Sequence, residues 1–340
     1  MTDTTRSLLP LPPVDQVRPG LWSVPVPMPS NSLRYVFVYV FETDSGLFLV
    51  DVGWNTDDAY ASLCDGIGQL GASIGDVSGM LVTHIHPDHY GLAGRVREAS
   101  GAWVALHPAD AALIHDRYDE PDALLDRVQS MMRRMGAPAD EVEGLSAASM
   151  PVRGYVDAAR PDVLLEDGAR PEVPGWDLTA IWTPGHSPGH LCFWEGNRRL
   201  MLSGDHVLPR ITPNIPFHPQ AGMNPLGDFL DSLEKLRPYD AVEVLPAHEH
   251  RFVGLQSRLD GLAHHHQQRF LEATTAIAEG VTTAWGIASR LHWSRSWDSI
   301  EGFMRRAAVA EALAHLRALE ERGVVREIMG EPSHWELVDV

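Results

Sequence analysis

The sequence predicts an α/β fold carrying a small helical module at its C-terminal end, and three observations lead there. Short apolar runs alternate with helical segments through most of the chain. One of those runs, Gly79-Met-Leu-Val-Thr83, stops at a dense cluster of histidines. From about Gln267 the alternation gives way to three helical segments and two short strands around a Gly-Glu-Pro turn. At 340 residues the chain is long for one average domain and short for three, so two domains are expected, 1–266 and 267–340.

In chain order, the Pro-rich stretch from Leu9 to Pro29 reads as an extended lead-in, and Leu33–Phe41 and Gly46–Val50, rich in β-branched and aromatic residues, read as strands. A helix is expected from about Thr56 to Leu70, then the strand ending at Thr83, a helix near Leu92 to Ala99 and a strand over Trp103–His107. The stretch from Ala109 to Ala148 reads as helical throughout, an insertion spanning about 109–150. It carries Met131, Met132 and Met135 beside Arg133 and Arg134; such methionines either pack the helix onto the body or accommodate an irregular apolar ligand. Strands resume at Trp176–Trp182, Leu191–Trp194 and Arg199–Leu202. Helices are then expected over Phe270–Ala278, Thr283–Leu291 and Phe303–Arg322, followed by strands at Val324–Ile328 and His334–Val338, the order of a winged-helix module.

Composition excludes several classes. No apolar run approaches the roughly 18 residues of a membrane helix, and the N-terminus lacks the apolar core of a signal peptide, so cytoplasmic residence without a membrane partner is expected. The formal charge of −19 disfavours nucleic acid and acidic membrane surfaces, which need clustered cations. Lys235 is the only lysine, which all but removes lysine-based catalysis. Cys64 and Cys192 are too few and too far apart for a disulfide framework or a Cys-rich zinc site, so any metal has to be held by His and carboxylate.

His84-Ile85-His86-Pro87-Asp88-His89 places three imidazoles and one carboxylate within six residues at the end of an apolar strand. Those groups suit borderline divalent cations, and a core histidine satisfied by its neighbours would account for one of them, not for all four. In a turn that follows a strand, alternate residues point one way and the next pair points past them, so two ligand sets can arise from one loop.

Thr83-His-Ile-His-Pro-Asp-His-Tyr-Gly91 resembles the signature of the metallo-β-lactamase superfamily, and further elements follow in that family's order over roughly residues 20 to 255. Val50-Asp51-Val-Gly53 resembles the strand-end aspartate that supports the ligand histidines. Thr183-Pro-Gly-His186-Ser-Pro-Gly-His190, Leu202-Ser-Gly-Asp205 and Leu245-Pro-Ala-His248 match the segments that supply a histidine, a bridging carboxylate and the last histidine. The resemblance implies an αββα sandwich of two mixed β-sheets flanked by helices. It also implies two divalent metal ions, zinc in the first place with iron or manganese as substitutes. His84, His86 and His186 would hold one, Asp88, His89 and His248 the other, and Asp205 would bridge them. The implied mechanism is hydrolysis by a metal-bridging hydroxide, with Asp88 orienting it and Asp51 fixing ring orientation.

Other residues leave alternatives open. Ala247 stands where relatives carry Gly, and His250 follows His248, so either histidine could be the ligand. His190 and His206 read as structural or hydrogen-bonding residues, and Cys192 as a small core residue. His264, His265 and His266 fan over about 200° of a helix and cannot converge on one ion. Tyr90 is a candidate hydrogen-bond donor to substrate or an aromatic packing residue, and His218, in the loop Asn214-Ile-Pro-Phe-His-Pro219, is a weaker candidate for substrate contact.

The family's shared site does not choose a substrate. The apolar insertion and the Pro-rich aromatic loop favour a small-molecule acyl ester, thioester or lactone with a lipophilic portion, as in glyoxalase II and its relatives. Arg133, Arg134 and Arg251 are the available handles for a carboxylate or phosphate. The C-terminal module resembles the winged helix found in a subgroup that includes single-strand endoribonucleases, the second reading. Residues 267–340 hold eight Arg, no Lys and eleven Asp plus Glu, a net of 8 − 11 = −3, which fits a packing or homodimer module better than a nucleic-acid reader. A third reading is a regulatory or assembly protein with a vestigial metal site, and the complete ligand set weighs against it.

Overall fold

The structure, a computed structural model, describes residues 10–28, 33–120, 122–148 and 150–338. Leu9 and Pro29, the ends of the expected lead-in, lie outside them, as does the N-terminal segment before Pro10. The lead-in itself forms two strands, β1 (Asp15–Arg18) and β2 (Leu21–Pro27), which pair antiparallel with each other. Prolines are tolerated in β2 because β1 covers only its first residues; Pro25 and Pro27 pair with β3 (Tyr35–Thr43) and turn their other edge to no strand.

From β3 the chain turns back as β4 (Gly46–Val50), and helix α1 (Asp57–Gln69) follows, capped by Thr56, whose hydroxyl accepts from the Ala59 amide. Strands β5 (Val77–Leu81) and β6 (Trp103–Leu106) add in parallel, with α2 (Pro87–Tyr90) and α3 (Ala93–Ser100) between them. A short β7 (Val163–Leu164) closes a seven-stranded sheet in the order β1 to β7. The expected continuous helix of the insertion is instead broken into α4 (Pro108–Ala111), a single π-helical turn at His115–Asp119, α5 (Asp122–Arg134) and α6 (Val142–Ala147). The Gly136-Ala-Pro138 turn supplies one of the breaks.

A second, four-stranded sheet runs β11-β10-β9-β8, from β8 (Leu178–Trp182), β9 (Leu191–Glu195), β10 (Leu200–Gly204) and β11 (Glu243–Pro246), the last two parallel and the others antiparallel. Both sheets are therefore mixed, and they face each other across Phe41, Phe48, Leu81, Leu191, Phe193 and Leu202. Helices α1 and α3 cover the outside of the first sheet, burying Leu63, Ile67 and Val96. Helices α7 (Pro225–Leu236) and α8 (Leu255–Ala278) cover the second, burying Phe229, Leu233, Leu259 and Leu262. Each such side chain contributes roughly 1.5–3 kcal/mol on leaving water.

The C-terminal part continues with α9 (Ala284–Ala288), α10 (Gly302–Glu321) and an antiparallel hairpin of β12 (Val325–Ile328) and β13 (His334–Leu337). The boundary expected between 266 and 267 falls inside α8, because Leu255, Leu259, Leu262, His266, Phe270, Ala273 and Ile277 continue one buried stripe through it at helical spacing. Val309, Leu313 and Leu316 of α10 belong to the same apolar cluster as Phe229 and Leu233. Among the described residues no helix is long and apolar enough to cross a membrane.

Candidate metal centre

The site gathers where strands end. Asp51 follows β4, the His84–His89 loop follows β5, His186 follows β8, Asp205 follows β10 and His248 follows β11. Within the β5 loop, Pro87 at the first position of α2 leaves His86 extended (φ −64°, ψ 150°) while Asp88 and His89 wind onto the helix. One loop thereby presents ligands in two directions. Backbone requirements precede two of the other ligands. Gly185 adopts φ 137°, where a Cβ would sit 2.5 Å from Phe229 Cβ, and Gly204 adopts φ 50°, where one would sit 2.7 Å from His190 Nε2.

Three groups of ligand atoms fall within 4.8 Å of one another: His84, His86 and His186; His84, His89 and Asp205; and Asp88, His89 and His248. The seven residues named from the resemblance are thus brought together, with Asp205 between the two triads. His86 Nδ1 lies 2.9 Å from both His84 Nε2 and His186 Nε2.

The outer partners fix which nitrogen of each ring faces inward. His186 Nδ1 donates to the Asn214 carbonyl at 2.8 Å, His248 Nδ1 to the Tyr35 carbonyl at 3.0 Å and His89 Nδ1 to the Asp51 carboxylate at 2.8 Å. Those oxygens only accept, so Nδ1 carries a proton and it is Nε2 that faces inward, with a lone pair for a cation wherever no second proton occupies it. His84 is held one step further out: its Nδ1 lies 3.0 Å from the Thr83 hydroxyl, which itself donates to Asp51. Asp51, at φ 62°, also accepts from the Thr83 amide at 2.8 Å, so one buried carboxylate orients two ligand rings.

Charge divides the site. Burial and neighbouring imidazoles hold His84 and His86 well below the ordinary imidazole range, and burial lowers His186 although Asp205 pulls the other way. Burial also opposes charge on His89 and His248, but Asp88 and Asp205 outweigh it: His89 is raised well above its usual value and His248 to about 10. The same pairing overcomes burial at Asp88 and Asp205 and lowers both carboxyls. A cation entering the second triad would therefore compete with protons.

His89 Nε2, His248 Nε2 and Asp205 Oδ1 are buried and have no hydrogen-bond partner. Buried polar atoms without partners cost about 1–3 kcal/mol each, and a divalent cation that displaces any second proton from the two rings satisfies this His and carboxylate set. The residues fit a metal.

Supporting residues complete the frame. His190 accepts from the Asp205 amide at Nε2 (3.1 Å), and its Nδ1 lies 2.9 Å from the Thr183 hydroxyl, so it holds a ligand's backbone. Asp110, which the sequence reading passed over, is fully buried and accepts from the Ile85 amide, the Ser187 hydroxyl and the Gly189 amide at 2.7–2.9 Å. It ties the β5 loop to the β8 loop. A lone Asp in a segment read as helix gave no sign of that.

Other candidates are placed elsewhere. Tyr90, one of the expected catalytic residues, is corrected: it is fully buried and its hydroxyl donates to the Ala159 carbonyl, so α2 turns it away from the ligands. His250 is exposed, whereas His248 is among the gathered ligands. His206 is buried with its ring centroid 4.7 Å from that of Phe229. His264 is exposed and His266 buried, as their fan on α8 requires. Cys192 is a buried core residue whose thiol burial pushes up to about 12. Arg134 pairs with Glu327, and Arg251 with Asp15 and Glu243, leaving neither as a handle beside the candidate ligands; Arg133 donates to Gln129.

Comparison with known proteins agrees with this geometry. The chain is 24% identical over 319 residues to the probable metallo-hydrolase YqjP of Bacillus subtilis, covering 88% of this chain and 91% of that protein. The crystal structure of a metallo-beta-lactamase family protein from Thermus thermophilus superposes with a TM-score of 0.83 at 32% identity, over 95% of this chain and 100% of that one. A beta-lactamase domain protein from Burkholderia ambifaria gives 0.78 at 25% identity, over 96% and 93%. The metallo-beta-lactamase superfamily model matches residues 32–248, most of the chain, across every ligand segment. The ligand cluster, the αββα sandwich and these matches make the chain a metallo-hydrolase that belongs to the metallo-beta-lactamase superfamily.

Proposed function

We propose that the protein is a two-metal hydrolase acting on an acyl ester, thioester or lactone with a lipophilic portion. The observation that carries this reading is the pair of candidate ligand triads meeting at Asp205, with three buried polar atoms left without hydrogen-bond partners among them. Two divalent ions bound there, zinc first and iron or manganese as substitutes, would supply a hydroxide at neutral pH and polarise the scissile carbonyl. The chain's own part is to hold the geometry: Asp51 orients His89 directly and His84 through Thr83, Asp110 joins two ligand loops, and His190 fixes the backbone of Asp205.

The lipophilic portion is supported by a cavity of about 250 Å³ lined by Met131, Met135, Phe217, Leu313 and Trp335 among others. No ligand lines it, but Phe217 shares a loop with Asn214, whose carbonyl holds His186. For the C-terminal helices and hairpin a winged-helix packing role is favoured over a nucleic-acid role. Arg269, Arg305, Arg317 and Arg326 each pair with a carboxylate, leaving little free positive charge there. Such a protein would work in the cytoplasm.

The test is metal-loaded full-length protein against S-acyl thioesters, lactones, a chromogenic β-lactam and single-stranded RNA, with metal analysis of the native protein. Thioester or lactone turnover abolished by His84→Ala is expected. RNA cleavage abolished by the same change, without ester turnover, would replace this reading by an endoribonuclease.

A further inference from the structure

The cavity of about 250 Å³ beside Phe217 lies where three parts of the chain meet. The insertion contributes Met131 and Met135, the loop after Asp205 contributes Phe217, and the C-terminal helices and hairpin contribute Leu313 from α10 and Trp335 from β13. Protein interiors are packed with few voids larger than a water molecule, so a cavity of this size at such a junction is a departure from ordinary packing.

Its polar lining is closed on itself. Arg317 donates to Glu320 at 2.6 Å and to Glu327 at 2.7 Å, and its guanidinium lies over the rings of Phe217 and Trp335, 5.6 and 5.1 Å from their centroids. Arg134 of the insertion reaches the same Glu327 at 3.0 Å, and its carbonyl accepts from the Ser333 amide at 2.8 Å, which ties the insertion to the hairpin. Arg127 faces Asp116 at 3.3 Å. Each arginine of the lining therefore already meets a carboxylate, and the rest of the wall is aliphatic, thioether and aromatic. Such a wall selects an uncharged occupant, because a charged one would lose its water for no new partner.

Phe217 also bounds the distance to the reaction centre. Its amide donates to the Ala310 carbonyl of α10 at 2.9 Å, and Asn214, three residues earlier, holds His186 through its carbonyl at 2.8 Å. Three residues span at most about 11 Å even when fully extended. This wall of the cavity is thus no further from the residue that holds His186 than an acyl chain can reach. An apolar cavity of about 150 Å³ suffices for benzene, so the larger one here takes a longer group, and the unbranched methionines adapt to its shape.

We propose that the cavity receives the uncharged distal end of the substrate's acyl group, and that Leu313 and Trp335 of the C-terminal part, together with Met131 of the insertion, set how long that group can be. This rests on the acyl-hydrolase reading and narrows it to medium-length acyl groups without an acidic end. It also gives the C-terminal helices and hairpin a share in choosing substrate, beyond packing.

Two measurements on the metal-loaded full-length protein test it. In the first, kcat/KM is followed over S-acyl thioesters from acetyl to dodecanoyl. It should climb by up to about fourfold for each methylene that enters the cavity and then level off. Leu313→Phe and Met131→Trp, which fill the cavity from its two sides, should each bring the plateau about two carbons earlier and lower the decanoyl-to-acetyl ratio about tenfold or more. Met304→Ala, at an exposed position of α10 outside the cavity, should keep the wild-type profile. An unchanged profile in both filled variants, at wild-type Tm and metal content, would overturn the proposal, and so would an equal loss at every chain length. The second measurement is calorimetric titration with butan-1-ol and octan-1-ol, which cannot be hydrolysed. Octan-1-ol should bind more tightly, and each filled variant should weaken it about tenfold or more. Equal octan-1-ol affinity in the wild type and both variants would sink the subsite. Alcohol binding that depends on Leu313 and Met131, without turnover of any thioester, would instead sink the acyl-hydrolase reading and leave the lipophilic site standing.

Discussion

The molecule buries two sets of histidines, and only one of them converges. At the strand ends, His186 and His248 each spend their outer proton on a carbonyl of another segment and His89 spends its own on Asp51, so the inner nitrogens share one centre. Between α8 and α10, His266 Nδ1 lies 3.1 Å from His315 Nε2, and His315 Nδ1 donates to the Glu311 carbonyl at 2.8 Å. There the protons pass from ring to ring along two helices and no lone pairs meet. Burial and histidine density are common to both sets, and what separates them is the outer acceptors that aim each ring. Carboxylates divide them too: Asp88 and Asp205 face imidazoles, whereas burial pushes the Glu311 carboxyl up to about 8, with only Arg269 acting against it.

Breaking the convergent set should have the largest effect. His84→Ala removes a ligand that belongs to two of the gathered groups, and hydrolytic rate is expected to fall at least about 10³-fold, with metal content per chain dropping in the same preparation. Full activity and full metal content would mean that the triads do not hold the working ions.

The helical set should respond in the opposite sense. Glu311 carries its raised pKa only in the folded chain. Below pH about 4.5 both states keep the proton and nothing is lost; between 4.5 and 8 the unfolded chain releases it while the folded chain retains it, so stability falls as pH rises. Glu311→Gln should therefore raise Tm increasingly across that window, by the equivalent of a few kcal/mol above pH 8, and by almost nothing at pH 4. Parallel pH profiles for the two proteins would show that this carboxyl is not held protonated.

Asp110 sharpens the comparison from the first set's own frame. Asp110→Ala leaves three buried donors without acceptors and should cost about 1–3 kcal/mol by thermal or denaturant unfolding, with some metal affinity lost as the two ligand loops loosen. Retained stability would mean that water replaces the carboxylate. The smallest effect is expected from Tyr90→Phe: loss of the bond to Ala159 should cost about 1 kcal/mol and leave kcat/KM unchanged. A large kinetic defect would restore Tyr90 as a substrate contact.

The residues that gather into the candidate metal centre were legible because each sits in a short string whose spacing carries meaning, His84 to His89 most of all. Asp51 was legible for the same reason, lying at the end of a recognisable strand. Asp110 was not, because nothing local distinguishes it from any other polar residue on a helix; its role comes from tertiary contacts with Ile85, Ser187 and Gly189. Tyr90 misled through adjacency, since the next residue on a helical turn points elsewhere. The strands β1 and β2 were hidden by prolines that an unpaired edge accommodates. The change of character after Gln267 was real in composition, yet it marked the middle of α8 rather than a joint.

That unbroken helix has an engineering consequence. A cut at residue 266 would sever a buried stripe and leave two greasy stumps, so the final fifth of the chain does not travel as a cassette between proteins.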